Sequence, residues 1–480
     1  MNHKILNGLF WKLTERGGAQ IIQFVIQIIL ARLLLPKDYG SIALITIFIT
    51  ISNVFVETGF NMAILQKKDF CKADADTAFS VSFILAVILY VGLFFIAPYI
   101  SSYYNISELT SVLRVLSTTL LLGSLNSIQI AVISKEFRFK SLCVSSMTSV
   151  MISGGIGIAL AYMKFGVWAL VLQQLSQKLI ASFLLIFLID WKPKFRIYKE
   201  NLHSLFRFGS KILLSNLIST VYSNIYGLVI GKIYNPAMLG YYNRADQFPS
   251  ILAVNISGSM QSVLLPAMSE NQDDKGKLKR TLRAVMKNLS FIIFPMMLGI
   301  MVCAEPIVRI LLTDKWLPCV PMLQILCLYY IFTPLQSANL QAINAMGRSD
   351  IFLKLEILKR AISTVVIVIS IPFGIYGMLI MMPVMNFINM VINAYPNRKY
   401  LHYSYMEQWK DVFPCLICSI LMISVILLFN FLISLPLIFQ LFINILLGCI
   451  TYAAASLMFN RDVFLGLCAM VITFIRRKEN

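Results

Sequence analysis

Between Leu9 and Asp38 the chain is apolar over a length that can cross a bilayer, yet Lys12, Arg16, Gln20, Gln23 and Gln27 recur at intervals of 4, 4, 3 and 4. That spacing predicts one helix with a single wet face. A Lys or Arg at mid-depth in hydrocarbon costs at least about 2.5 kcal/mol, so the wet face must meet protein or a solvated cavity. Snorkelling of a helix end to the interface would account for Lys12. It would not account for the three glutamines, which continue about four turns inward.

The same pattern of long apolar runs continues to the C-terminus and predicts an all-α polytopic membrane protein of about 14 transmembrane helices. The runs fall near residues 10–34, 40–60, 77–98, 111–134, 142–163, 166–189, 207–231, 247–268, 283–303, 319–345, 353–372, 376–396, 411–433 and 437–459. Their length, about 20 residues each, excludes outer-membrane barrel strands. The first run exceeds a signal-peptide core and no small-residue cleavage site follows it, so it is kept as a span. A last run, Val463 to Ile475, is too short to cross and reads as an interfacial helix. Pro295 and Pro383 fall inside spans and should kink them.

Composition agrees: of 480 residues 58% are hydrophobic and only 13% charged, with mean hydropathy +0.78, whereas soluble domains carry about 25% charged residues. The net charge of +19 could signal nucleic acid, but its placement does not. With the N-terminus inside, 26 of the 41 Lys and Arg fall in the cytoplasmic segments and 7 in the opposite loops. The excess is a topology signal that puts both termini in the cytoplasm of a cell with this protein in its inner membrane. The far-side loops reach about 15 residues at most, around Lys232–Asp246 and Ala304–Pro318, which leaves no room for a catalytic domain. Asp190 to Phe206 is the longest cytoplasmic loop and the expected hinge between two halves. Tyr241, Tyr242, Trp316 and Trp409 read as interfacial aromatics.

The halves repeat. Lys211, Ser215, Ser219, Tyr222 and Tyr226 carry the spacing of the first wet stripe, 199 residues on, and Arg32, Pro36 and Gly40 are echoed by Lys232, Pro236 and Gly240, 200 residues on. This predicts two pseudo-symmetric six-helix lobes, 1–200 and 201–400, with two extra helices and the interfacial segment in 401–480. Parallel repeats of this kind mark transporters whose substrate site lies at the repeat interface. Pro36–Gly40 and Pro236–Gly240 read as tight far-side turns, and as pivots if the lobes rock.

Nine cysteines are scattered, Cys415 and Cys418 form a lone CxxC inside a span, and His3, His203 and His402 lie far apart. No metal-ligand spacing, phosphate loop or nucleophile elbow is present, so no cofactor or metal is expected. The intramembrane cations are Lys12, Arg16, Arg114, Lys178, Lys211, Lys287, Lys359 and Arg360, against Glu15, Glu57 and Glu356 as the main acids. The excess favours an anionic substrate. Arg114 starts its span and reads as an interfacial anchor, and Glu356 can pair with Lys359 or Arg360.

The stretches ARLLLPKDYG (31–40), ETGFNMAILQKKD (57–69), NPAMLGYYNRADQFPS (235–250), DKWLPCVPMLQIL (314–326) and NAMGRSD (344–350) resemble the Wzx-type polysaccharide flippases of the multidrug/oligosaccharidyl-lipid/polysaccharide exporter superfamily. The resemblance is strongest to their WzxC-like and TuaB-like lipopolysaccharide biosynthesis branch. It implies a central cavity open to one side at a time and a lipid-linked oligosaccharide on undecaprenyl pyrophosphate as substrate. It also implies the bilayer, a polysaccharide polymerase and a chain-length regulator as partners, and no nucleic acid. On this reading Arg16 and Lys211, one per lobe, contact the pyrophosphate, with Lys12 and Lys178 as further cations. Gln20, Gln23, Gln27, Ser215, Asn216, Ser219, Tyr222, Asn224 and Tyr226 meet the sugar, and the extra helices can line a groove for the lipid tail. Glu57 and Glu15 are the candidates for ion coupling. The competing expectation is an ion-coupled small-molecule exporter of the same superfamily, which needs a mid-membrane acid such as Glu57. A polymerase or ligase is excluded by the short far-side loops.

Overall fold

The computed structural model describes residues 3–58, 61, 64, 67, 70–198, 213–270, 272 and 274–479, and among them no β-strand occurs. In chain order the helices are α1 (His3–Leu33), α2 (Pro36–Asn53), a π-helical turn (Val54–Thr58), α3 (Lys72–Tyr104), α4 (Leu109–Leu116), α5 (Thr119–Lys135), α6 (Phe139–Tyr162), α7 (Val167–Leu188), α8 (Ile225–Ile233), α9 (Pro236–Ser269), α10 (Lys275–Val302), α11 (Ala304–Leu311), a 3-10 turn (Asp314–Cys319), α12 (Val320–Tyr330), α13 (Thr333–Ala345), α14 (Ser349–Ser370), α15 (Gly374–Tyr400), α16 (Tyr405–Leu432), α17 (Leu437–Phe459) and α18 (Arg461–Glu479). Residues 213–223 lead helically into α8.

Among the described residues twelve stretches are long and apolar enough to cross a membrane. The expected fourteen are not reproduced as counted. The polar stripe of α1 keeps that helix out of the twelve, and Asp350–Tyr400, containing α14 and α15, runs as one stretch of 51 residues. Two expected far-side loops prove helical instead. Tyr234 and Asn235 alone separate α8 from α9, and Ala304–Pro318 is α11 plus most of the 3-10 turn.

The chain forms two compact units, Met1–Asn243 and Arg244–Asn480. In the first, α6 packs along α1 and α7. Gly154 of α6 lies directly against Ile26 of α1, where a β-carbon would collide with the isoleucine. Small residues allow such close helix approach in lipid. Beyond α7 the chain is pinned onto α3. Trp191 Nε1 donates to Asp76 at 2.9 Å, the Arg196 and Tyr198 amides donate to Ser80 Oγ and Thr77 Oγ1, and Phe195 sits between Phe79 and Phe83. The expected hinge is therefore fixed up to Tyr198, and 199–206 lies outside the described residues.

In the second unit α10 packs against α16, and α16 against α17. A ladder of amides joins α13, α15 and α16: Asn397 donates to Asn339 Oδ1 at 2.7 Å, Asn339 to Gln408 Oε1 at 2.9 Å, and Asn393 to the Gln336 carbonyl. Buried amides in a membrane protein are retained by such pairing.

Prolines inside helices leave the carbonyl four residues earlier without its donor. Two of these carbonyls are served by side chains from a neighbouring helix. Pro98 in α3 frees the Phe94 carbonyl, which accepts from Arg114 Nε at 3.1 Å, while the guanidinium lies 4.1 Å from the Phe94 ring. Pro295 in α10 frees the Phe291 carbonyl, which accepts from the Tyr452 hydroxyl at 2.9 Å. Arg114, expected as an interfacial anchor, is thus a backbone cap. Trp316, expected at the interface, is fully buried, 5.9 Å from the Arg244 guanidinium. Tyr241, Tyr242 and Trp409 are half-buried.

Candidate functional site

The first unit holds a cavity of about 390 Å³, most of whose lining residues carry polar side chains. From α1 come Glu15 and Ala19, from α2 Thr46, Thr50 and Asn53, from α5 Thr119 and Asn126, from α6 Ser146 and Ser149, and from α7 Gln174, Gln177 and Lys178. Beside it stands Glu57. The π turn places it there: a wider turn adds one residue to the register and frees a carbonyl. Ser127 Oγ donates to the Glu57 carbonyl at 3.2 Å. One turn earlier on α5, Gly123 makes room for the carboxylate, since a β-carbon there would lie 2.9 Å from Glu57 Oε1.

Glu57 Oε1 accepts from Lys178 Nζ at 3.1 Å, with the two side chains 34% and 37% exposed. Glu15 accepts from Lys12 at 2.9 Å and from Ser146 Oγ at 3.2 Å. The neighbouring Arg16 is not its partner, because adjacent residues on a helix point to different faces. Glu15 of the cavity wall and Glu57 beside it are therefore both matched by cations.

The structure brings Glu15, Glu57 and Lys178 together and leaves the other described members of the expected set off the lining of this cavity. Lys12 is exposed at its rim, engaged with Glu15. Arg16 is exposed, without an ion pair or hydrogen bond to another described residue. Gln20, Gln23 and Gln27 are half-buried along α1, and Gln23 Oε1 is buried without a partner. Ser215 and Ser219 are exposed, and Tyr222 and Tyr226 half-buried. Lys211 lies outside the described residues. Asn53, Asn126, Gln174 and Gln177 were not singled out from the sequence. Gln174, Gln177, Lys178 and Ala181 follow one another at helical spacing, so a second wet stripe on α7 was the signal available.

The second unit holds an apolar groove of about 560 Å³ among α10, α16 and α17, with Phe291, Pro295, Met296, Met422, Ile445 and Tyr452 on its walls. At one end of the same helices stands a charged clamp. Asp411, 4% exposed, accepts from Arg283 Nε and Nη2 at 2.7 and 2.8 Å, from the Tyr403 hydroxyl at 2.8 Å, and faces Lys287 Nζ at 3.3 Å. Lys279 pairs with Glu407 at 3.1 Å. Burial, and then the bond to Asp411, push the Tyr403 phenol well above its ordinary pKa. Lys359 and Arg360 both pair with Glu356. Among the described residues no group of His, Cys, Asp and Glu could hold a metal ion.

A family model described as polysaccharide biosynthesis protein matches residues 29–321. The chain belongs to this polysaccharide biosynthesis family. It is 24% identical over 350 residues to the teichuronic acid biosynthesis protein TuaB of Bacillus subtilis, covering 72% of each chain. It is 22% identical to the lipopolysaccharide biosynthesis protein WzxC of Escherichia coli, covering 77% of this chain and 76% of that one. Among solved structures, the lipid II flippase MurJ in an inward closed conformation shares the fold. The TM-score is 0.75 at 15% identity, over 95% of this chain and 99% of that one. An inward-facing multidrug resistance MATE family transporter gives a TM-score of 0.62 at 17% identity, over 80% of this chain and 94% of its own. The family member described here thus has the fold of both, and the MurJ-like likeness takes in more of its length.

Proposed function

We propose that this protein turns an oligosaccharide repeat unit, carried on undecaprenyl pyrophosphate, from the inner to the outer leaflet of the cytoplasmic membrane for surface polysaccharide assembly. The observation that carries the reading is that a polysaccharide biosynthesis family member holds a hydroxyl- and amide-lined cavity among bilayer-spanning helices of one unit, and a lipid-like groove in the other. A sugar needs the first and a polyprenyl tail the second. The names of the relatives point the same way: TuaB is a teichuronic acid biosynthesis protein, WzxC a lipopolysaccharide biosynthesis protein and MurJ a lipid II flippase.

The chain acts by alternating access of two lobes, 1–200 and 201–400, with 401–480 supplying one wall of the tail groove, and performs no covalent chemistry. Arg16, exposed on α1, and Lys211 take the pyrophosphate, whose charge demands compensation in a low dielectric. Gln20, Gln23 and Gln27, with Ser215, Ser219, Tyr222 and Tyr226, extend the polar path. Glu57 and Glu15 are the candidate acids for coupling to an ion gradient. Both termini lie in the cytoplasm, and a polymerase with its chain-length regulator takes the product.

The test is deletion in the native host. Lipid-linked repeat unit should accumulate on the inner leaflet and surface polysaccharide should vanish, both restored by the wild-type gene. Intact polysaccharide together with new drug sensitivity would instead assign the chain to small-molecule export.

A further inference from the structure

The cavity of the first unit has a composition that selects among the parts of the substrate. Of its lining side chains only Ala19, Ile49, Val150 and Ala181 are apolar. Its amides each present a donor and an acceptor, and its hydroxyls can act as either, which is what the hydroxyls of a sugar ring require. One acceptor, Asn53 Oδ1, is buried there without a hydrogen-bond partner among the described residues. Its size is within the range of small-molecule sites, about 300–1,000 Å³, and accommodates a sugar ring or two.

Its charge tells which part of the substrate does not belong. The cavity's two charged side chains, Glu15 and Lys178, are already matched by Lys12 and Glu57. A pyrophosphate placed here would find no uncompensated cation and would face the Glu15 carboxylate, which repels it. A neutral polyol meets no such penalty.

Resting on the flippase reading above, we propose that this cavity is the saccharide subsite. It seats an uncharged sugar of the repeat unit on Gln174, Gln177, Asn126 and Asn53, and the pyrophosphate stays outside on the exposed cations. The Glu57–Lys178 pair is then a neutral wall that orients hydroxyls, and not an anion site.

The experiment places a thiol in the cavity. Gln177→Cys in the full chain is labelled with a small maleimide in membranes and compared with the wild type, which sets the background of the native cysteines. One set of membranes comes from cells that make the complete repeat-unit lipid. The other comes from cells lacking the first sugar transferase, supplied with bare undecaprenyl pyrophosphate. Labelling slowed about tenfold or more by the first and unchanged by the second is the expected result. Equal protection by both lipids, or by neither, overturns the proposal. Asn126→Cys, on α5, is read in the same way if the first variant does not reach the membrane. Whether gene deletion stops export is measured separately, so the subsite can fail while the flippase reading stands, and the reverse.

Discussion

Gly40 and Pro236 lie backbone against backbone. A β-carbon on the glycine would collide with the proline carbonyl, and the contact is reciprocated by Gly240 against the carbonyl of Pro36. The first turns of α2 and α9, 200 residues apart, therefore cross through their glycines. The neighbouring atoms are backbone and cannot swing aside. Gly40→Val should cost about 1–3 kcal/mol by overpacking and lower the thermal midpoint of the purified protein. Gly258→Ala, mid-helix in α9 with nothing within 4 Å, should raise it, by about 0.5–1 kcal/mol.

The Glu57–Lys178 pair predicts a specific pattern of rescue. Glu57→Gln or Lys178→Met alone leaves a charge without its partner beside the cavity and should reduce export. The double variant removes both charges and should recover most of it. The coupling measured in thermal unfolding should be about 1 kcal/mol at most, since each side chain is about one-third exposed. A double variant as poor as the single ones would show that Lys178 serves a bound anion.

Arg16 makes no ion pair with a described residue and is exposed, so its removal should barely touch stability, within about 0.5 kcal/mol. Arg16→Ala and Lys211→Ala should nonetheless abolish surface polysaccharide while membrane levels of the protein stay normal. Normal polysaccharide in both strains would remove these cations from the substrate path.

Asp411 gathers Arg283, Lys287 and Tyr403 at one end of α10 and α16. Asp411→Asn removes the charge shared by the partly exposed Arg283 and Lys287 and one acceptor oxygen beside the buried Tyr403 hydroxyl, and should cost about 1–3 kcal/mol. Tyr403→Phe should cost less, about 1 kcal/mol. Protease sensitivity of the segment leading into α16, around Tyr403, reports both in membranes.

Tyr452→Phe tests the proline cap. The Phe291 carbonyl, already without its helix donor because of Pro295, would lose its remaining described partner. In an apolar groove the cost should be about 1–3 kcal/mol, and Pro295→Ala in the same chain should offset part of it by restoring the helix bond.

The hydropathy pattern was enough to place most helices within a few residues, because the bilayer dictates length and apolarity. The polar stripe of α1 was equally legible from its spacing, and so was the Pro–Gly echo. The cavity was not. Its walls come from five helices, and the residues that matter, Asn126 and Gln177, are ordinary polar positions until α5 and α7 are set side by side. Lys178 looked like a free cation for the same reason: its partner is 121 positions away in the chain. The partners of Arg114 and Trp316 were not legible either, because span-end rules say nothing of a carbonyl freed at Phe94 or of the Arg244 guanidinium beside the indole.

The widened turn at Val54–Thr58 amounts to one surplus residue in an otherwise regular helix. Inserting one further amino acid there, ahead of Glu57, would exceed what the wide turn absorbs and rotate the acid by about 100°. The lysine would then be left facing an alanine-sized gap at Gly123. A shift of one place in the chain, with no change of composition worth noticing, separates a compensated interior from one carrying a stranded positive charge.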